Sequence, residues 1–111
     1  MGGRAGADAA PGLMLPVRLR PAALQELTEA WSWYETKREG LGDEFRACLD
    51  AGIAEIGRSP LGCRKVRGEA RRKVVRRFPY VLIYLPEPEH VEVIAVFHTS
   101  RDPAVWQDRV R

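Results

Sequence analysis

The chain has 111 residues, a formal net charge of +3, 45% hydrophobic residues and 30% charged residues. That length holds one compact domain, and that apolar fraction excludes an intrinsically disordered chain. Its two cysteines, Cys48 and Cys63, and its two histidines lack metal-ligand spacing. They speak against a zinc site or a disulfide framework and fit reduced thiols in the cytoplasm, so no metal or cofactor is expected.

Residues 1–14 are rich in Gly and Ala and hold no apolar run. They read as a flexible leader, neither signal peptide nor membrane span, with Met14 as a second candidate start. A single domain is expected over 15–111. Val17 and Leu19 alternate with Arg18 and Arg20, which suits a first strand with one buried face. Pro21 sits where the first turn of a helix tolerates proline. Leu24, Leu27, Ala30, Trp31 and Tyr34 then recur at three-and-four spacing. This predicts an amphipathic helix with Trp31 inward, Trp33 turned toward the edge, and Gly40 as the residue that ends it.

Asp43 and Glu44 place negative charge on the N-terminal turn of a second helix, where the helix dipole favours it. Its stripe is Leu41, Phe45, Cys48, Leu49, Ile53 and Ile56, and Gly57, Ser59 and Pro60 close it. The short Gly40-Leu41-Gly42 joint folds the two helices back as an antiparallel hairpin. Leu61 to Ala70 has no period and reads as a loop. Lys73–Phe78, Tyr80–Leu85 and Val91–His98 are strand candidates, the last two forming a hairpin around Pro86-Glu87-Pro88-Glu89-His90. In the last strand Val91, Val93, Ala95 and Phe97 alternate with Glu92, Ile94, Val96 and His98, and its apolar centre suggests burial on both faces. Tyr80 and Tyr84 are expected to pack with their hydroxyls at a rim. Asp102 as cap and Pro103 at the first position open a terminal helical turn through Trp106 to Arg109. The order β-α-α-β-β-β makes an α+β fold, a helical hairpin on a mostly antiparallel twisted sheet.

The densest chemical feature is basic. Arg58, Arg64, Lys65, Arg67, Arg71, Arg72, Lys73, Arg76 and Arg77 face one acid, Glu69, over the same stretch. Like charges this close repel, and such a strip suits an acidic protein segment or a phosphate backbone. His98, at a strand end, is either a proton carrier near neutral pH or simply hydrogen-bonded.

The runs Arg77-Phe78-Pro79-Tyr80-Val81-Leu82-Ile83-Tyr84, Ile94-Ala95-Val96-Phe97-His98 and Arg101-Asp102-Pro103 with Trp106 and Arg109 resemble the C-terminal half of RelE/ParE toxins. Trp33-Tyr34-Glu35 and Gly40-Leu41-Gly42 before Phe45 look like the helical hairpin of the same superfamily, so the resemblance runs from Val17 to Arg109. It implies the toxin of a type II toxin–antitoxin module, neutralised by a ParD- or RelB-like antitoxin. RelE-like members cleave mRNA on the ribosome, holding the scissile phosphate with Arg or Lys. ParE-like members poison DNA gyrase without catalysis of their own.

Related nucleases carry Arg where this chain has Val81, and often Arg directly after the histidine, where it has Thr99. A lost cation at a phosphoryl transition state removes several kcal/mol of stabilisation. Together with the Arg101-Asp102-Pro103 to Trp106 stretch, this favours the ParE-like reading. The target surface is then expected to use Arg71, Arg72, Lys73, Arg76, Arg77, Arg101, Trp106 and Arg109. The antitoxin surface is expected to use Trp33, Tyr34, Arg64, Lys65 and Arg67. A ribonuclease would instead need Arg76, Arg77, His98 and Arg101. A non-toxic nucleic-acid-binding module is a third reading, but no helix-turn-helix, zinc finger or aromatic sheet motif supports it.

Overall fold

The computed structural model describes residues 14–110. The expected leader, apart from Met14, lies outside the described residues. Strand β1 (Val17–Leu19) leads into helix α1 (Pro21–Lys37), with Pro21 in the first turn. Helix α2 (Leu41–Arg58) follows with Asp43 and Glu44 in its first turn. Strands β2 (Lys65–Arg67), β3 (Ala70–Val75), β4 (Tyr80–Pro86) and β5 (Val91–His98) come next, and the short helix α3 (Ala104–Gln107) closes the chain. The five strands form one sheet in the order β1-β5-β4-β3-β2, antiparallel except for the β1–β5 pair. The fold is α+β, with α1 over β5 and α2 over β3 on one face.

The helical hairpin depends on its two joint glycines. Gly40 has φ +88°, a conformation costly for other residues. A Cβ on Gly42 would sit 2.6 Å from the Trp31 carbonyl oxygen, so only glycine lets α2 approach α1 so closely. Trp31 departs from expectation: it lies one residue off the buried stripe of α1, so its indole is 37% exposed and donates to Asp43 Oδ1 at 3.0 Å. The inward face of α1 is Ala23, Leu27, Ala30 and Tyr34, and Leu24 also faces out.

The sheet is buried on both faces at its centre. Tyr34, Phe45, Leu49, Ile56, Leu82 and Tyr84 fill the helix side, while Val81, Ile83, Leu85, Ile94, Phe97 and Trp106 form a second cluster on the back. Tyr84 is fully buried and donates its hydroxyl to the Pro60 carbonyl at 2.8 Å. It is a core residue, not the rim residue expected. The stretch expected as a loop contains β2 and the start of β3. The Lys73–Phe78 strand instead runs over Ala70–Val75 and ends in a turn where Arg77 has φ +77°. Charged side chains hid β2 and the start of β3, whose pairing is backbone chemistry that carries no apolar alternation.

The largest correction lies within β5. Ile83 pairs with Ala95 and Tyr84 with Val93, so Ile94 is an extra residue. This β-bulge shifts the side-chain phase by one. Val91, Val93 and Val96 face the helices, whereas Ala95 and Phe97 face the back. Strict alternation would have put all but Val96 on one side.

At the β1–β5 end, Arg20 Nε meets Glu92 at 3.2 Å and His90 Nε2 lies 2.9 Å from the same carboxylate. Burial pushes Glu92 up, but hydrogen bonds from His90 and Arg20 outweigh it and hold the carboxyl below its ordinary value. A carboxylate depressed on folding stabilises the native state above its unfolded pKa, and that share is lost as pH falls through the folded value. Glu92→Gln should therefore flatten the acid limb of stability against pH below the ordinary carboxylate range. Urea midpoints at stepped pH test it, and an unchanged slope would refute the pairing.

Candidate functional site

The two faces of the sheet each carry a concavity. On the helix side a cleft of about 370 Å³ opens between α1 and the end of β5, lined by Glu26, Glu29, Trp33, Tyr34, Tyr80, His98 and Arg101 among others. Its aromatic wall is continuous with the core, since Tyr80 packs edge-on against Phe45, Tyr34 and the His98 ring. Burial pushes the phenols of Tyr34 and Tyr80 above their ordinary value. Both hold their protons at neutral pH and are donors there, not bases. His98 Nδ1 lies 3.0 Å from the Ser100 backbone N–H and 2.8 Å from its hydroxyl. Because an N–H donor occupies Nδ1, the neutral ring carries its hydrogen on Nε2 and its basic nitrogen is already engaged.

The floor of this cleft is closed by a clamp that sequence reasoning missed. Strand β1 pairs with β5 only up to Val93, leaving the bulge and the strand beyond it as an open edge. Glu26 Oε1 accepts the Val96 N–H at 3.0 Å, and Arg109 Nη1 donates to the Ile94 carbonyl at 2.8 Å. The two side chains also pair with each other through two hydrogen bonds, 3.1 and 2.9 Å. Orphan backbone groups made by the bulge are thus satisfied by one ion pair from opposite ends of the chain. Arg20 Nη1 adds a hydrogen bond to the Arg109 carbonyl.

On the back face a groove of about 300 Å³ runs between α3 and the β2–β3 hairpin. Arg64, Arg72, Val81, Thr99 and Trp106 line it. Trp106 is only 5% exposed and sits edge-on to Phe97 at 6.3 Å. Asp102 Oδ1 accepts the Ala104 N–H, and Pro103 stands at the N-cap, one position from the expected arrangement.

The expected site residues disperse. Arg71 donates to the Leu61 and Cys63 carbonyls, and Lys73 bridges to Glu55, so both brace the hairpin. The hydrogen bond and charge of Lys73 hold Glu55 below its ordinary value. Arg77 lies 3.6 Å from Glu44 and beside Cys48, whose thiol raises the guanidinium above its ordinary value. Lys65 pairs with Glu69. Arg109 and Trp106 were both expected to face a target, but Arg109 is the clamp residue and Trp106 is buried. Trp33 is 55% exposed with Lys37 over its ring, and Tyr34 is buried beneath it. Arg64 and Arg72, assigned to separate surfaces from sequence, share the back groove. Of the ribonuclease set, His98 and Arg101 share the helix-side cleft, Arg77 lies beside Glu44, and Arg76 is near Glu55. Val81 and Thr99, the positions where nucleases carry arginine, lie in the back groove instead.

Among families of known proteins, the one described as the ParE toxin of the type II toxin–antitoxin system parDE matches residues 17–103. Among solved structures, a chain of the chromosomal ParDE toxin–antitoxin system from P. aeruginosa is similar with a TM-score of 0.68. It is 9% identical over 77% of this chain and 96% of that one. A chain of the toxin–antitoxin complex RelBE2 from Mycobacterium tuberculosis is similar with a TM-score of 0.56, at 19% identity over 84% of this chain and all of that one. These identities speak to the fold alone. No curated protein sequence matches the chain.

Proposed function

The chain belongs to the ParE toxin family of type II toxin–antitoxin systems, and from that premise we propose that it arrests growth by poisoning DNA gyrase. The observation that carries this reading is the composition of the back groove. Val81 and Thr99 stand there at the two positions where related nucleases carry arginine, while His98 opens on the other face with its basic nitrogen engaged. A nuclease requires its cations and its proton carrier around one phosphate. Helices α1 and α2 contribute no membrane-crossing segment; no helix among the described residues is long and apolar enough.

A cognate antitoxin of the ParD or RelB type is the partner on this reading, docking an apolar segment in the helix-side cleft beneath exposed Trp33. Arg76 and Arg101, both exposed, remain available to the target, and exposed Arg67 to the antitoxin. The test is induced expression of the full chain with and without its antitoxin, scoring transcript cleavage and gyrase-linked DNA breaks together. Breaks without transcript cleavage are expected. Ribosome-dependent cleavage without breaks would establish the ribonuclease.

The same assay carries a residue-level prediction. His98→Ala should leave growth arrest within a few-fold of the parent. An essential general acid or base would instead be worth on the order of a hundredfold or more in rate. Loss of arrest in a variant that keeps its melting temperature would return His98 to a catalytic role.

A further inference from the structure

The helix-side cleft gathers hydrogen-bond donors that the chain itself does not use. Tyr34 is only 8% exposed, yet its hydroxyl makes no hydrogen bond among the described residues. That hydroxyl still meets open space, and the space that Tyr34 lines is the cleft. Tyr80 lines the same wall, and its hydroxyl is likewise unpartnered among the described residues. Burial pushes the Tyr80 phenol up, Tyr34 and Glu26 add to that, and the Arg101 guanidinium opposes it, so the two phenols and Arg101 lie within reach of one another.

Two more donors join them. His98 offers an Nε2–H, because its Nδ1 accepts from Ser100. Arg101 is exposed and makes no ion pair among the described residues. The acceptors of the cleft, by contrast, are occupied. Glu26 Oε1 takes the Val96 N–H and Arg109 Nη1, and its Oε2 takes Arg109 Nη2. Glu29 lies at the exposed rim and accepts from Gln25 Nε2 at 3.1 Å. With Arg109 neutralising Glu26, the unpartnered groups are donors, and one of them carries a full positive charge. Ala30, Val96, Phe97 and Val105 make the rest of the lining apolar.

We propose that this donor cluster binds a carboxylate, carried by an acidic side chain within the apolar segment of the antitoxin. The Arg101 guanidinium supplies the charge, and the Tyr34 and Tyr80 hydroxyls and the His98 Nε2–H supply neutral donors. An ionised carboxylate accepts at both oxygens and needs no donor of its own, which matches a site whose free groups all donate. One guanidinium balances one negative charge, and Glu29 at the rim disfavours a second. The aromatic and aliphatic walls hold the flanking apolar side chains and keep water from competing for the ion pair. The inference rests on the reading of this cleft as the place where the antitoxin docks, and adds the chemistry that the place selects. It also gives neutralisation a direct route, since a carboxylate on Arg101 withdraws from the target a side chain that the free chain leaves available.

The test is a titration of the full chain, labelled with nitrogen-15, at pH 7.5 and matched ionic strength. Three probes are added separately: the capped pentapeptide Ala-Leu-Glu-Leu-Ala, its counterpart with glutamine in place of glutamate, and acetate. Both peptides should shift the Trp33 indole signal saturably, the glutamate peptide binding at least tenfold more tightly and also shifting the Arg101 side chain. Arg101→Gln should erase that preference while the spectrum stays dispersed. Tyr34→Phe with Tyr80→Phe should reduce it severalfold, because the rings remain and only the hydroxyls go. Arg76→Ala, an equal loss of charge outside the cleft, should leave it unchanged. Equal binding of the two peptides at Trp33 would overturn the carboxylate site and leave the docking of an apolar segment standing. No saturable shift at Trp33 with either peptide would overturn both. An equal loss in Arg76→Ala would reduce the preference to overall charge, and acetate binding as tightly as the glutamate peptide would remove the protein segment as its source; either result sinks the proposal.

Discussion

Trp106→Ala is expected to destabilise the protein by about 3–5 kcal/mol, the usual range for truncating a large buried aromatic. The indole closes the back of the sheet, packed with Ile83, Phe97 and Leu85 and flanked by Val66 and Val110. Its removal opens that cluster to water, and small domains have only about 5–15 kcal/mol of stability in total. Trp106→Phe should cost much less, since it keeps most of the apolar volume and deletes the indole N–H that has no acceptor among the described residues. Urea unfolding of both variants measures the contrast. If Trp106→Ala keeps its midpoint but abolishes growth arrest, the side chain is a target contact, as the sequence suggested. Deleting residues 105–111 removes the indole and the clamp arginine together. It should yield an unfolded or severely destabilised chain, contrary to the sequence-based expectation that Trp106 and Arg109 face a target.

Arg109→Ala is the second large effect, with an expected loss of about 2–3 kcal/mol, as for hydrogen bonds to charged groups. The guanidinium and the Glu26 carboxylate are 22% and 19% exposed, and both hold backbone groups at the β5 bulge. Without Arg109, the Glu26 carboxylate loses its two guanidinium hydrogen bonds in a partly buried place and the Ile94 carbonyl loses its donor. Glu26→Gln should be milder, because an amide oxygen can still accept the Val96 N–H. A double-mutant cycle between the two positions should give a coupling of roughly 1–3 kcal/mol. A coupling near zero would mean that the tail is held by Trp106 alone. Raising the salt concentration should weaken this coupling only slightly, since partly buried pairs are poorly screened.

The elements legible in the sequence are those whose signal is local. Phe45, Leu49 and Ile56 repeat at the helical period and were found on the buried face of α2. Pro21 and the acids of α2 marked helix starts through backbone and dipole requirements that involve few neighbours, whereas Gly40, expected to end α1, is the N-cap of α2. Val17 and Leu19, with β4 and β5, were visible as strands, and together these placed the helical hairpin on a mostly antiparallel sheet. The family resemblance also rested on short contiguous runs. What escaped were strand β2 and the start of β3, whose exposed and half-buried Arg and Lys side chains mask the backbone pairing.

The tertiary structure alone decided where the chemistry lies. Ile94 looks like any strand residue until the register of β4 makes it a bulge, and that single extra residue turns Phe97 to the back and keeps His98 with the helices. Trp106 finds its seat because Phe97 is there. The bulge also frees the two backbone groups that Glu26 and Arg109 satisfy, 83 residues apart in sequence. Such pairs have no period and no spacing to reveal them. They exist only once the sheet register has been set, because a one-residue shift in pairing exchanges the faces of every side chain beyond it.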